Sequence, residues 1–292
     1  MERIPSSVRR GGRWLAALAL WGLLPLLIGI ALAQVVAPRP AVGVIRLTTD
    51  IWAGSASLFL EQIREVALDP RIKAVVVHID SPGGEVVATQ TMFIELQNLR
   101  RKIPVVGSID TIAASGGYYL AMAADPLFTR PSSTVGNVGV WGFAPPEFGL
   151  SDDLLASGPF KLAASNQAEF IRQIDGVKQE FVATVAGARG ERMAISLADL
   201  AQGLAYPGRE ALGLGLLDHL GTLTDALAEA AYQAGVYNYD VVDLQTRVFQ
   251  RLYGITTPVI ERWIGAADPL TGRRVLPPGV YLLYDARLGG AP

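Results

Sequence analysis

The chain has 292 residues, 50% of them apolar and 18% charged, with a net charge of −2, a pI near 5.8 and no cysteine. This balance argues against a nucleic-acid partner and excludes disulfides and thiolate metal sites; no Cys/His cluster offers a zinc site either. So large an apolar fraction calls for a big core or a membrane segment.

Residues 1–13 carry Arg9, Arg10 and Arg13 ahead of an uncharged run, Trp14–Ala37. Its 24 residues are enough to cross a bilayer with some tilt, and the preceding arginines predict a cytoplasmic N-terminus. Ala31-Leu32-Ala33 before Gln34 also has the form of a signal-peptide cleavage site. An uncleaved signal anchor is the preferred reading, and either reading places the body of the chain outside the cytoplasm. Pro38 to Ala41 is a short linker, and residues 42–240 form the expected folded domain.

Val42–Ile51 reads as the first strand of that domain and Ser55–Val66 as an amphipathic helix. Ala74–Ile79 is β-branched and apolar, the pattern of a buried parallel strand. Ser81-Pro82-Gly83-Gly84 stops it abruptly, because proline pre-sets one turn dihedral and glycine permits positive φ. Val86–Lys102 then has helical spacing. A second unit repeats the plan: Pro104–Ile109 is strand-like and Tyr118–Ala124 reads as a buried helix. Turns that follow parallel strands share one edge of the sheet, so the fold class is α/β with the two turns facing one crevice. Leu127–Phe143 holds short strands. Phe170–Ala188 and Leu197–Gln202 read as helices, and Pro207 opens another. Residues 241–292 form an extension without an assigned role. Within it Thr246–Asp268 has apolar residues at helical spacing, and the Pro/Gly-rich remainder has one short strand.

Ser115 sits between Ala113-Ala114 and Gly116-Gly117, at the expected strand-to-helix junction. Free backbone N–H groups and the helix dipole favour developing negative charge there, which suits a serine nucleophile. The same small-Ser-Gly-Gly pattern also packs a helix closely on a strand without any chemistry. The N–H of Gly84 is a natural oxyanion donor, or else part of a plain tight turn. A serine needs a base. His78 lies inside an apolar strand and reads as a core histidine. His219 lies in a helix-end-like stretch with nothing that aims it at Ser115. Of the four lysines, Lys73 and Lys102 flank strands and Lys178 lies in a charged helical stretch. Lys161 lies among apolar and small residues, a setting that favours a desolvated, neutral amine.

Several segments, in order and spacing, resemble the signal peptide peptidase (SppA-type) family of Ser/Lys proteases. They are IKAVVVHIDSPGGEV, IPVVGSIDTIAASGGYYLAMAADPLFTRPSSTVGNVGV, GPFKLAAS and GLAYPGREALGLGLLDHLG. The resemblance implies Ser115 as nucleophile, Lys161 as base and the amides of Gly84 and Gly116 as oxyanion donors. It places Gly136, Asn137, Val138 and Gly139 along a groove for an extended peptide. It implies a crotonase/Clp-protease-like spiral of β-β-α units preceded by one transmembrane helix, in a short, single-copy form. It further implies a homo-oligomeric ring, an octamer, whose sites take serine and lysine from neighbouring chains. The expected substrates are cleaved signal peptides and other exported or membrane peptides, with no cofactor and no metal. An acyl-CoA enzyme of the crotonase type would need neither the serine nor the anchor. A Clp-type triad lacks its histidine, since none falls between Ser115 and His219. An inactive membrane scaffold and a peptidase dedicated to one membrane protein remain as alternatives.

Overall fold

The computed structural model describes residues 19–29, 38–143, 157–158, 160–161, 164–254 and 280–283. The chain divides into two compact units, Met1–Pro40 and Ala41–Pro292. In the first, Ala19–Leu23 forms a π-helical turn that continues as α-helix over 24–29, with Trp21, Leu24, Leu26 and Leu27 exposed. Among the described residues no helix is long and apolar enough to cross a membrane. The remainder of the expected anchor, 14–18 and 30–37, and the expected tail 1–13 lie outside the described residues.

The second unit is a mixed α/β fold. In chain order it contains β1 (Ala41–Leu47), α1 (Ala53–Leu68), β2 (Ile72–Ser81), β3 (Gly83–Glu85), α2 (Val86–Arg100), β4 (Val105–Ala114) and α3 (Gly116–Ala121). There follow β5 (Leu127–Thr129), β6 (Thr134–Gly136), β7 (Trp141–Gly142), α4 (Gln167–Arg189), α5 (Leu197–Leu200), β8 (Ala205–Pro207) and α6 (Gly208–Gly213). The last elements are β9 (His219–Leu220), α7 (Leu223–Gln233), β10 (Asp240–Asp243), α8 (Leu244–Tyr253) and β11 (Val280–Leu283).

An eight-stranded sheet runs β10-β1-β2-β4-β5-β9, with β6 on the far end of β4 and β8 beside β6. Every pairing in it is parallel except β6 with β8. The central strands are buried on both faces, which is why their sequences are continuous apolar runs. Alternation along β2 divides the layers. Val75, Val77 and Ile79 join the main core with α1, α2, α3 and α4; Ala74 and Val76 pack under Ala226, Ala230 and Ala231 of α7. The sheet runs on past residue 240. β10 pairs with β1, and α8 packs on α1 and β1 with Leu244 and Val248 buried. Residues 255–279 and 284–292 of the expected extension lie outside the described residues.

Two polar anchors fix the helices behind β4. Tyr118 is buried and its hydroxyl donates to the Leu216 carbonyl at 2.7 Å. Arg189, at the C-terminus of α4 and 3% exposed, donates to both carboxylate oxygens of Asp218 at 2.8 and 2.9 Å and to the Gly215 carbonyl at 2.7 Å. Burial alone would raise the Asp218 carboxyl, but Arg189, the Leu127 N–H and Arg192 hold it below the ordinary range. Removing one partner of such a buried pair strands the other charge. Arg189→Ala is therefore expected to destabilise the fold by about 3–5 kcal/mol in urea denaturation. Arg192→Ala, at the half-exposed end of the network, should cost under ~1 kcal/mol. Equal losses in the two variants would refute the ranking.

Candidate active site

β4 enters α3 through a backbone that few residues adopt. Ser115 caps the helix at φ 51°, ψ −121° and is 1% exposed. A positive φ costs a non-glycine residue of order 1–3 kcal/mol unless its surroundings enforce it. Here they do: the Ser115 N–H donates to the Gly136 carbonyl at 2.9 Å, and the Ser115 carbonyl accepts from the Tyr119 N–H at 2.9 Å. The resulting elbow is the strand-to-helix turn that can present a serine hydroxyl at a sheet edge. Gly116 follows at the first helical position, where the N–H has no acceptor within the helix.

Two glycines bring this elbow against the end of β2. A Cβ on Gly117 would lie 2.4 Å from the Ser81 carbonyl oxygen, and one on Gly84 would lie 1.9 Å from that of Ile51. No side chain fits at either place, so α3 rides directly on the β2–β3 turn. The Ser81 hydroxyl accepts from the Gly83 N–H at 3.2 Å and closes that turn. α3 packs against β3, so Ser115, Gly116 and the Gly84 strand belong to one site.

The expected groove residues adjoin it. Gly136 ends β6 opposite Ala114, but β6 is flanked by both β4 and β8, so neither of its edges is open to a further strand. Asn137 has φ 55°; its N–H donates to the Leu204 carbonyl at 2.8 Å and its side-chain amide to that of Gly203 at 2.7 Å. Val138 is buried, whereas a Cβ on Gly139 would meet open space. The pairing of an extended segment occurs just beyond, at β7, a feature that two residues gave no sequence signal to find.

Among the described residues no hydrogen bond joins the Ser115 hydroxyl to a lysine or histidine. Lys161 lies in an exposed turn whose N–H donates to the Gly158 carbonyl at 3.1 Å, so one chain alone does not provide the desolvated setting expected for it. Lys73 and Lys102 are exposed, and Lys178 is half-buried on α4. His219 is on edge strand β9 rather than at a helix end, exposed and stacked on Phe128 with ring centroids 4.9 Å apart. His78 shares the α7-facing side of β2 with Val76, so it points away from α3.

Sequence comparison fits this geometry. The pattern of Peptidase family S49 matches residues 97–237, and that of Clp protease matches residues 40–135. The protein slr0021 of Synechocystis sp. is 33% identical over 223 residues, covering 71% of this chain and 79% of that one. Protease 4 of Salmonella typhi is 34% identical over 185 residues, covering 58% of this chain and 30% of the other. Serine protease SPPA, chloroplastic, of Arabidopsis thaliana is 29% identical over 204 residues, covering 65% and 30%. The chain thus spans under a third of the length of the last two. These matches and the parallel-rich α/β sheet define a serine protease, a hydrolase. The chain belongs to peptidase family S49.

His78 yields a prediction of its own. Its Nδ1 is buried without a hydrogen-bond partner among the described residues, and its Nε2 is 3.9 Å from an Asp110 oxygen. Burial first and then Arg46 lower its pKa to about 4, with Asp80 opposing them and Arg130 and Asp243 contributing less. An unfolded histidine titrates near ~6.5, so between those values the unfolded chain binds the proton first. His78 therefore leaves stability intact above pH ~6.5 and erodes it as pH falls toward 4, by roughly 3 kcal/mol. Denaturation midpoints measured from pH 7 to 4 should show a shallower slope in His78→Gln. Parallel slopes for the two proteins would show that the carboxylates alone carry the effect.

Proposed function

We propose that this chain is a membrane-anchored serine endopeptidase working through a Ser/Lys dyad. The observation that carries the reading is the Ser115 elbow, held at positive φ at the head of α3 and packed against the Gly84 strand. In this reading the Ser115 hydroxyl attacks a peptide carbonyl and its proton passes to the amine of Lys161. The N–H groups of Gly84 and Gly116 stabilise the oxyanion, where preorganised donors act most strongly. The protonated lysine returns the proton to the leaving amine, and water repeats the sequence on the acyl-enzyme.

Lys161 is exposed on its own chain, and among the described residues no lysine or histidine is hydrogen-bonded to the Ser115 hydroxyl. Both facts support a ring in which each lysine enters the neighbouring chain's site, the octamer implied by the resemblance. The parallel-rich sheet and the Clp protease match support the crotonase/Clp-like spiral. The uncharged run 14–37 supports a single-pass anchor with the catalytic domain outside the cytoplasm, where cleaved signal peptides and other exported or membrane peptides are the substrates. One relative, of Enterococcus faecium, bears the name signal peptide peptidase SppA. A second reading, an inactive scaffold, rests on one observation alone, that no lysine or histidine among the described residues is bonded to Ser115.

One experiment separates the two readings. The full chain in detergent is incubated with a synthetic signal peptide and the products are read by mass spectrometry. Ser115→Ala and Lys161→Ala should each reduce cleavage by ~10³-fold or more. Mixing and reassembling the two variants should restore a measurable fraction, because some boundaries then join an intact serine to an intact lysine. Loss in Ser115→Ala alone would discard Lys161 as base. No cleavage by the unaltered chain would favour the scaffold.

A further inference from the structure

β11 meets the candidate site from the far end of the sequence. It runs antiparallel to β3, with Tyr281 opposite Glu85, Leu282 opposite Gly84 and Leu283 opposite Gly83. On its other side Val280 and Tyr281 pair with Gly142 and Trp141 of β7. It also lies against α3, the helix that Ser115 heads.

Ladder geometry decides which edge of β3 it covers. The Ile51 N–H donates to the Gly83 carbonyl at 2.8 Å, and the Glu85 N–H donates to the Ile51 carbonyl at 2.9 Å. Those groups face Ile51. Successive residues direct their peptide groups to alternate sides of a strand, so the N–H and carbonyl of Gly84 face the opposite edge. That edge is the one on which β11 lies, with Leu282 directly across.

We propose that β11 is an autoinhibitory strand, which occupies the place of an extended peptide substrate between β3 and β7 and covers the Gly84 amide until substrate displaces it. The proposal rests on reading Ser115 as nucleophile and Gly84 as oxyanion donor. It also gives the bound substrate a direction, antiparallel to Gly83–Glu85. Strand addition draws its affinity from main-chain hydrogen bonds, so a tail strand and a substrate of different sequence compete for the same groups. The pairing with β3 spans three residues, short enough to exchange, while attachment to the same chain keeps the tail at a high effective concentration.

The test uses the full chain with Leu282→Pro. Leu282 lies directly across from Gly84 on the edge that the Gly84 groups face, so loss of the residue 282 N–H removes a ladder bond to β3. For a quenched peptide substrate, KM should fall on the order of tenfold with kcat unchanged, as expected if the strand leaves roughly a tenth of the sites open. Hydrogen exchange is the second readout and needs no activity: the Gly84 amide should be protected in the unaltered chain and in Ser115→Ala, and exposed in Leu282→Pro, whereas the Glu85 amide, bonded to Ile51, should stay protected in all three. Unchanged protection would show that the strand does not hold this edge, and would overturn the proposal. Lost protection with unchanged KM, or with no activity in either protein, would leave β11 a structural strand and overturn the inhibition. Cleavage that survives Ser115→Ala would instead sink the nucleophile assignment, independently of the exchange result.

Discussion

Two backbone contacts with no room for a side chain hold the whole site together. Gly117 lies against the Ser81 carbonyl and Gly84 against that of Ile51. The first sets α3 on the end of β2; the second sets β3 beside the segment that follows β1. Because both contacts are backbone on backbone, their geometry depends on sheet register rather than on rotamers. Any Cβ at either glycine would lift α3 or β3 by a distance that hydrogen-bond donors for a developing oxyanion do not tolerate. The Ser115 dihedral follows from the same constraint. β4 continues in register with β6 through Ala114 opposite Gly136, and the chain must then turn sharply into a helix whose position is already set.

The surrounding core stiffens that elbow instead of merely filling space. The Tyr118 hydroxyl reaches the carbonyl of Leu216, and the Tyr119 hydroxyl donates to Glu180 of α4 at 2.9 Å. Tyr119 also meets Phe93 of α2 edge to face and Phe181 of α4 at a tilt, with centroids 4.8 and 5.1 Å apart. Burial raises the pKa of both phenols, so they stay neutral donors. Adjacent residues of one short helix thus tie it to two separate segments, the one before β9 and α4. The Arg189–Asp218 pair does the same one layer further out, joining the end of α4 to the segment before β9. Strain at Ser115 persists because these contacts leave α3 no cheaper place to relax.

What was legible in the sequence is local. Ala74–Ile79 and the run from Pro104 announce buried parallel strands because both faces are covered, and Ser81-Pro82-Gly83-Gly84 announces a turn through its dihedral demands. Ser115 stood out by its place between those signals. Long-range pairing left weaker traces. His219 lies in a two-residue strand whose identity depends on β5 and not on its own neighbours. β4 runs on to Ala114 because β6 pairs with its far end, which the polar Ser108 and Asp110 conceal. The short strand expected in the Pro/Gly-rich tail could be read from Val280–Leu283, but its partner could not: β3 is two glycines and a glutamate, with no side-chain pattern to advertise an open edge. Lys161 shows the limit from the other direction, since apolar neighbours in sequence did not translate into burial within the chain.

The site also shows how exposure and chemistry are divided along one polypeptide. The rigid parts, the elbow and the glycine strand, sit in the core, where register sets them to within a hydrogen bond. The parts that come and go in this reading are held by less: Lys161 lies on an exposed turn, and β11 pairs with the glycine strand over three residues. A peptidase whose groove is built from backbone groups has little side-chain selectivity against its own extended segments. Control of such a groove falls naturally to geometry: which strand fills it, and from which chain the base arrives. Both devices act on the same few atoms at Gly84 and Ser115. In this reading an occupied groove and an absent base are two independent ways of keeping one nucleophile idle, and a substrate meets a competent site only when both have been reversed.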